Sequence, residues 1–544
     1  MRPSPKNTAF YSTCNDAYIK RSATALLSIK QHVSGAQLFI ISRRVSQENQ
    51  QLLKKVGIKL IDIDLRGKFT RHWQYPVECY YIFAGPEMFY EKGFSYALYV
   101  DGDVLCCANP FKDVGVVRSI AGTSPGDCRG VFCDDTEKIQ EHFRLSDRQI
   151  ARQRIASGIV WFNNKKMAKL RLLEQSINLF DECLAARIPR KGDDSLFALW
   201  QILFLRNGSV KNFGKSFNFM PTLFGKYVPN DTKFIHFLEY KPWDNYDDEK
   251  ATIKKFLAEW AGIYRENFGD FEKKAYNNEQ ISGSKISVFI SEDAELGIFN
   301  FGDEFPKDLI TKLLKRPIEP TNNPEKAELF AIGSILSYLP IKLSRKVYVW
   351  GSGFISNEKE KDTQLPLDQI VYTAVRGEYT KDRLQKYINP SITLGDPGIL
   401  VSMVYQASRK TEKIGVVPHY VDVKNELVER LRNDERFLVI DPLDSPETVA
   451  KEISSCKCVF SSSLHGLIFA DSYGIPNARV CFSNKVYGGD YKFKDYCSGV
   501  GQKYRIAETN DIWNKEAVAK LIKEYKPINN LKQKQEALIK SFPF

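Results

Sequence analysis

Short apolar runs alternate with stretches of helical periodicity along the whole chain, and the alternation restarts near its middle. In the first half, continuous apolar positions predict strands at Thr8–Cys14, Gln37–Ser42, Lys59–Ile63 and Tyr96–Val100, with a helix over Ala23–His32. Between Asp247 and Phe271, the residues Ile253, Phe256, Leu257, Trp260, Ile263, Tyr264, Phe268 and Phe271 recur at helical spacing with charges between them. That pattern predicts an amphipathic helix packed on the first domain, with a membrane-surface or dimer role as the alternative reading. The polar stretch Tyr276–Ser284 follows and is the expected linker.

The second half predicts strands at Ile286–Ile290, Ala327–Ile332, Lys346–Trp350, Val371–Val375, Lys413–Val417, Phe437–Ile440, Cys458–Ser462 and Arg479–Phe482. Helical patterns separate most of them, and Asp396-Pro397-Gly398 breaks the region into two comparable pieces. The expected class is α/β throughout, with a first domain over residues 1–245, a helix and linker over 246–284, and a second domain over 285–544 made of two doubly wound subdomains.

Length agrees with this division, because 544 residues exceed the roughly 250–300 that one hydrophobic core supports. An apolar fraction of 43% suits globular cores, and no run approaches the roughly 20 apolar residues of a membrane span. The opening residues lack the apolar core and cleavage site of a secretory signal, so a cytoplasmic protein is expected. Eleven dispersed cysteines indicate reduced thiols, and Cys456-Lys-Cys458, without a second pair at zinc spacing, reads as buried small hydrophobes. The net charge of +12 suits nucleotides, phosphoenolpyruvate, lipid diphosphates or the anionic inner face of the cytoplasmic membrane. Its lysines form no single basic stripe with interleaved aromatics, so no nucleic-acid partner is expected.

The first candidate chemistry is Asp101-Gly102-Asp103, at the C-terminal end of a predicted strand. Ligands of open α/β sheets bind at such ends. Two carboxylates flanking a small residue can reach one hard cation, Mn²⁺ or Mg²⁺, which would bridge them to a nucleotide diphosphate. Taken alone, the same residues also describe a tight turn.

The ordered motifs Tyr99-Val-Asp-Gly-Asp-Val-Leu105, Ser157-Gly-Ile-Val-Trp-Phe-Asn163, Gly192-Asp-Asp-Ser-Leu196, Phe217-Asn-Phe-Met-Pro-Thr222 and Ile235-His-Phe-Leu-Glu-Tyr-Lys-Pro-Trp243 resemble glycosyltransferase family 8. The resemblance spans about residues 6–245, and the last two motifs resemble the galactosyltransferase branch. It implies a GT-A-like nucleotide-sugar domain that retains anomeric configuration, with UDP-hexose as donor. It also implies Asp101, Asp103 and His236 as metal ligands, Lys241 on the diphosphate, Asn15, Asp16 and Tyr18 in the base-binding segment, and Asp193 and Asp194 on the donor sugar. An N-terminal helix cap is the competing reading for one of those two acids. This chain departs from the family at Asp194, where glutamine is common, at Ala156, where asparagine is common, and in lacking an arginine near Tyr80–Phe83. Lys68, Arg71 and His72 are candidate substitutes for the missing charge.

In the second half, Asn300-Phe-Gly-Asp-Glu304, Gly351-Ser-Gly353, Val375-Arg-Gly-Glu378, Gly395-Asp-Pro397, Val417-Pro-His419 and Ser461-Ser-Ser-Leu-His-Gly-Leu467 resemble the polysaccharide pyruvyl transferase family over about residues 285–485. The implied fold is a GT-B-like pair of subdomains. The implied reaction moves the pyruvyl unit of phosphoenolpyruvate onto a sugar as a ketal, releasing phosphate. It needs an acid for the methylene carbon, cations for the carboxylate and phosphate, and a base for the attacking hydroxyl. His465 is the expected general acid, tuned near neutrality. Arg376 is the expected anion clamp, with a surface pair to Glu378 as its competing reading. Asp303 and His419 are candidates for acceptor binding or base duty, and Ser352 and Ser463 for phosphate hydrogen bonds.

Together the two resemblances imply a bifunctional transferase of surface-polysaccharide synthesis, acting on a lipid-linked or oligosaccharide acceptor. The alternative is one active domain, the pyruvyl transferase, with the other binding acceptor.

Overall fold

The computed structural model describes residues 2–65, 68–69, 76–112, 114–126, 129–132, 135–186, 188, 192–206, 208–224, 227–238, 241–243, 251–270, 285–291, 300–340, 343, 345–358 and 369–544. Contacts divide the chain into two compact units, Met1–Tyr276 with Glu295–Gly297, and Asn277–Ala294 with Ile298–Phe544. The linker expected at 276–284 lies outside the described residues. Among the described residues no helix is long and apolar enough to cross a membrane.

The first unit is built on a seven-stranded sheet in the order Lys59–Asp62, Gln37–Ser42, Thr8–Thr13, Tyr96–Val100, Ile159–Asn163, Ile120–Gly122, Val210–Asn212. The first four strands are parallel, and Ile159–Asn163 runs against both of its neighbours. Thr8–Thr13 and Tyr96–Val100 are buried along their whole length, as continuous apolar strands with both faces covered must be. Alternate residues feed two cores: Tyr11 and Tyr99 face one, Phe10 and Leu98 the other. Helix Ile19–His32 starts four residues earlier than its apolar periodicity suggested.

A second, small sheet joins Val104–Cys106, Phe234–His236 and Asn218–Phe219. Asp101-Gly102-Asp103 is therefore the turn by which the chain leaves the central strand for this sheet. The antiparallel register sets His236 opposite Val104, beside that turn. Helix Ala251–Phe268 buries Ile253, Trp260, Ile263 and Tyr264 in the first unit's core, with the Trp260 ring 5.6 Å from that of Trp243.

The second unit contains two all-parallel sheets. One runs Ile318–Thr321, Ile286–Phe289, Leu329–Phe330, Val347–Trp350, Ile370–Val375, Thr393–Leu394. The other runs Phe437–Val439, Ile414–Val417, Cys458–Ser461, Asn477–Val480, Ile506–Ala507. This is the expected pair of doubly wound subdomains, divided at the Asp396 break. The strand expected at Arg479–Phe482 lies two residues earlier, because it begins directly after Pro476, just past the Tyr473-Gly474 turn. Edge strands at Ile318–Thr321, Thr393–Leu394 and Ile506–Ala507 carried no apolar signal. They are short, half-exposed, and one contains Pro320, as edges tolerate.

Helix Leu464–Ser472 is buried at every residue, including His465, Asp471 and Ser472, and its apolar residues lie on all sides. Helix Leu531–Lys540 returns to the first of the two sheets: Trp350 Nε1 donates to Leu538 O at 2.9 Å, and Gln535 Nε2 to Ile399 O at 2.7 Å. The described cysteines are free thiols, and Cys456 and Cys458 are both buried.

Candidate functional site

In the first unit, ligand atoms of Asp101, Asp103 and His236 lie within 4.8 Å of one another. His236 Nε2 is 3.3 Å from Asp103 Oδ1 and 3.5 Å from Asp101 Oδ2. Tyr99 donates to Asp101 Oδ1 at 2.6 Å, and the Lys241 ammonium bonds Asp103 Oδ2. Glycine at position 158 is obligatory, because a Cβ there would stand 2.2 Å from His236 Cε1 and 2.9 Å from Asp101 Oδ2.

The electrostatics suit a cation. Burial and the neighbouring Asp103 charge push the Asp101 carboxyl up to about 6, against the pull of His236. Burial opposes ionisation of Asp103 too, yet His236 and Lys241 hold it well below the usual carboxylate range. Desolvation of the half-buried Asp193, with repulsion from Asp101 and Asp194, pushes its carboxyl up to about 8. His236 Nδ1 is buried and has no hydrogen-bond partner. Carboxylates crowded in this way, with an imidazole among them, could hold a metal ion through Asp101, Asp103 and His236.

Asp193 and Asp194 open helix Gly192–Phe204. Asp194 accepts from Ser157 N at 2.9 Å and from Arg154 Nη1 at 2.8 Å. Arg154 escaped the sequence reading, although it stands two residues before the Ala156 departure. In the base-binding segment, Asn15 Oδ1 is buried without a partner. Asp16 has a structural task as well: its Oδ1 accepts from Ser46 N at 3.0 Å and Asn49 Nδ2 at 2.7 Å, fixing the start of helix Gln47–Val56. The Arg21 guanidinium lies over both the Tyr18 and Trp243 rings, 4.4 and 4.3 Å from their centroids. Arg71 and His72 lie outside the described residues.

In the second unit, Asn300 caps helix Phe301–Asp308 by accepting from Gly302 N at 3.0 Å and Asp303 N at 3.1 Å, and its amide donates to the Asp303 carboxylate. The cap fixes Asp303 in the helix's first turn. His465 rests on three glycine backbones. A Cβ would stand 1.8 Å from its Nδ1 at Gly302, 3.6 Å from its Cε1 at Gly333 and 3.8 Å from its Cδ2 at Gly398. Its Nε2 is buried without a partner.

Protonation departs from the expectation for His465. Burial and the nearby charges of Arg376 and Lys492 push its imidazole down to about 3, so it is neutral near pH 7. Burial pushes Asp303 up to about 7 despite its Asn300 bond. Here the carboxyl is the group tuned near neutrality. His419 is pushed down to about 4 by burial and Lys492. Its Nδ1 accepts from Val421 N at 3.4 Å, and its backbone N donates to Ser462 Oγ at 2.7 Å.

Arg376 does not present a clamp to a ligand. Its residue is 0% exposed, and its Nε donates to Asp495 at 2.9 Å, Nη1 to Ser334 Oγ at 2.6 Å and Nη2 to Phe354 O at 2.5 Å. Its ion-pair partner is Asp495, also fully buried, rather than Glu378. Ser352 is likewise buried, donating to Ala331 O at 2.6 Å. The structure turns both residues to internal support, because the strand ends that carry them face packed backbone. Ser463 precedes the buried helix, and its backbone N donates to Ser461 Oγ at 3.0 Å.

Lys492 is the cation that sequence reasoning missed. It is 5% exposed, and burial with Arg376 and Arg479 pushes its ammonium down to about 8. Among the described residues no hydrogen-bond acceptor takes it. Its charge acts on Asp303, His419 and His465 together. Its signal was a lysine on the buried face of helix Tyr491–Val500, beside Asp495 and Tyr496.

Comparison with known proteins finds two family matches, which overlap at residues 222–247. The model of "Glycosyl transferase family 8" matches residues 10–247, and that of "Polysaccharide pyruvyl transferase" matches residues 222–484. The chain is 26% identical over 217 residues to the succinoglycan biosynthesis protein ExoV of Rhizobium meliloti (strain 1021), covering 38% of this chain and 63% of ExoV. It is 43% identical over 136 residues to uncharacterized protein L143 of Acanthamoeba polyphaga mimivirus, covering 23% of this chain and 47% of L143. The chain thus spans about half to two-thirds of the length of these relatives. Among solved structures, the galactosyltransferase LgtC in complex with donor and acceptor sugar analogs matches 47% of this chain and 95% of its own at 17% identity, TM-score 0.35. The glycosyltransferase GlyE of Streptococcus pneumoniae TIGR4 matches 94% and 98% at 14% identity, TM-score 0.31. By its family matches, the chain joins a glycosyl transferase family 8 domain in its first half to a polysaccharide pyruvyl transferase domain in its second.

Proposed function

We propose that this chain is a bifunctional enzyme of surface-polysaccharide assembly, of the capsule or exopolysaccharide kind. Its first unit transfers a hexose, galactose in our reading, from a UDP-sugar with retention, and its second installs a pyruvate ketal from phosphoenolpyruvate. The supporting observation is that each unit holds one furnished reaction site. Asp101, Asp103 and His236 converge within 4.8 Å in the first, and Asp303 and His465 flank Gly333 beside Lys492 in the second.

In the first site, a divalent cation held by Asp101, Asp103 and His236 would supply charge neutralisation for the diphosphate leaving group. Lys241, freed from Asp103, takes a phosphate oxygen. Asn15 and Tyr18 address the base, and Asp193 and Asp194 the donor sugar.

In the second site, Lys492 holds an anionic group of phosphoenolpyruvate. Asp303, with its pKa at about 7 and so protonated at mildly acidic pH, donates its proton to the methylene carbon, which becomes the ketal methyl. His465, held neutral, accepts a proton from the attacking sugar hydroxyl. Two sugar oxygens bond to the former enol carbon as its bond to the phosphate oxygen breaks. One hydroxyl proton restores Asp303, and the other leaves with phosphate. His419 sits beside the acceptor, and Ser463 beside the phosphate.

The acceptor is a lipid-linked or oligosaccharide glycoside. The net charge of +12 fits work at the anionic inner face of the cytoplasmic membrane.

Two assays on the full chain test the proposal. Mn²⁺-dependent turnover of UDP-hexose is expected to vanish in Asp103→Ala and persist in His465→Ala. Phosphate release from phosphoenolpyruvate with a galactoside is expected to show the reverse. Absence of any metal-dependent nucleotide binding would overturn the first half, and phosphate release unaffected by His465→Ala would overturn the second. One observation favours the alternative of a single active domain: Asp194 is already paired with Arg154, where a free side chain would serve the sugar better.

A further inference from the structure

A cavity of about 190 Å³ opens beside strands Ile120–Gly122 and Val210–Asn212 in the first unit. Those strands are parallel to each other and antiparallel to Ile159–Asn163, which is itself antiparallel to Tyr96–Val100. Their C-terminal ends therefore point to the same sheet edge as Asp101 and Asp103. Ser124 and Asn212, just past or at those ends, form part of the cavity wall, joined by Ser124 N donating to Asn212 Oδ1 at 3.2 Å.

The lining is strongly cationic. Arg152, Arg154 and Arg206 all contribute, and among the described residues no carboxylate lines the cavity. Arg154 is 7% exposed, with Nη1 on Asp194 at 2.8 Å and Nε buried without an acceptor. It thus borders the cavity while touching the helix start that carries Asp193 and Asp194. Ile202, Leu205 and Val210 complete an apolar wall. Guanidinium groups are matched in geometry to phosphate oxygens, and a low-dielectric wall strengthens that attraction. The volume far exceeds the roughly 10–15 Å³ that admits one water. It suits a phosphate together with part of what the phosphate carries.

We propose that this cavity binds a phosphate group of the sugar acceptor, held by Arg152, Arg154 and Arg206. The assignment to acceptor rests on the glycosyl-transfer reading above, in which Asp193 and Asp194 face the donor sugar. The binding of a phosphate-class oxyanion stands on the cavity alone.

The test is calorimetric titration of the full chain with galactose 1-phosphate, with UDP–Mg²⁺ and phosphoenolpyruvate saturating so that both donor sites are filled. One further site is expected. Arg206 is exposed, so its replacement leaves the core intact: Arg206→Glu is expected to weaken the phosphate about tenfold or more, while Arg206→Lys stays within about threefold. Binding unchanged in Arg206→Glu, or free galactose binding as tightly as its phosphate, would overturn the proposal. Farnesyl phosphate separates the sources. Tighter binding than galactose 1-phosphate supports a lipid-linked acceptor, and weaker binding a sugar phosphate. If UDP–Mg²⁺ fails to bind while galactose 1-phosphate still does, the glycosyl-transfer reading fails and the anion site stands.

Discussion

Asp303 and His465 meet across Gly333, where a Cβ would lie 3.3 Å from Asp303 Oδ1 and 3.6 Å from His465 Cε1, and their proton affinities are displaced in opposite directions. Burial raises the carboxyl to about 7 and, with nearby cationic groups, lowers the imidazole to about 3. Both groups are consequently neutral near pH 6, one holding a proton to give and the other a lone pair to receive one.

Phosphate release from phosphoenolpyruvate should therefore be flat around pH 5–6 and fall about tenfold per pH unit above about 7, as Asp303 ionises. Asp303→Asn should abolish the rate; a rate that survives with the same profile would refute the role. Stability gives a second reading. The folded Asp303 pKa lies above the unfolded value, so its contribution is complete below the unfolded pKa and is lost as pH rises through about 7. The Tm of Asp303→Asn should decline less than that of the parent chain between pH 5 and 8.

Arg376→Met should act on folding rather than on phosphoenolpyruvate affinity. It strands the buried Asp495 carboxylate, a change that costs about 3–5 kcal/mol. Urea unfolding should show that loss, and Arg376→Met with Asp495→Leu should recover part of it. A folded Arg376→Met chain with normal stability and a raised KM would restore the clamp role.

Lys492→Met should raise the KM for phosphoenolpyruvate about 10–100-fold, the worth of a charge-assisted hydrogen bond of about 1.5–3 kcal/mol. Because the Lys492 charge also depresses His465, the imidazole pKa should rise in the same variant. NMR titration of the His465 ring reports that shift independently of turnover.

Two glycines should silence the two sites separately. Gly158→Ala drives a methyl into His236 and Asp101, and Gly302→Ala drives one into His465. The first should remove metal-dependent UDP-hexose turnover and spare phosphate release, and the second should do the opposite. Parallel assays of both variants check the crosswise pattern.

The convergence of Asp101, Asp103 and His236 was legible because its parts are local: an apolar strand, two acids around a glycine, and a histidine within a recognisable run. Much of the second unit's candidate site was not. Arg376, following a strand and preceding glycine, reads the same whether it faces a cleft or a core, and its partner Asp495 stands 119 residues away. Lys492 looks like one more surface lysine until helix Tyr491–Val500 is packed. His465 could be placed from its motif, whereas its protonation depends on Arg376 and Lys492, which only tertiary structure brings near. Strand positions followed apolar runs in most sheet interiors and at the edges Lys59–Asp62 and Phe437–Val439, and failed for short strands such as Ile120–Gly122 and Ile506–Ala507, which offer too few residues for a pattern.

The return of helix Leu531–Lys540 to Trp350 and Ile399 bears on the order of events during synthesis. A sheet assembled from residues 286–394 receives its covering helix last, after the other sheet of the same unit has been made. Helix Phe301–Asp308 covers part of that sheet's apolar surface early, but the part around Trp350 stays uncovered until the last helix is made. Chaperone demand should therefore concentrate on the second unit, and translation of the second sheet should set the length of that exposure.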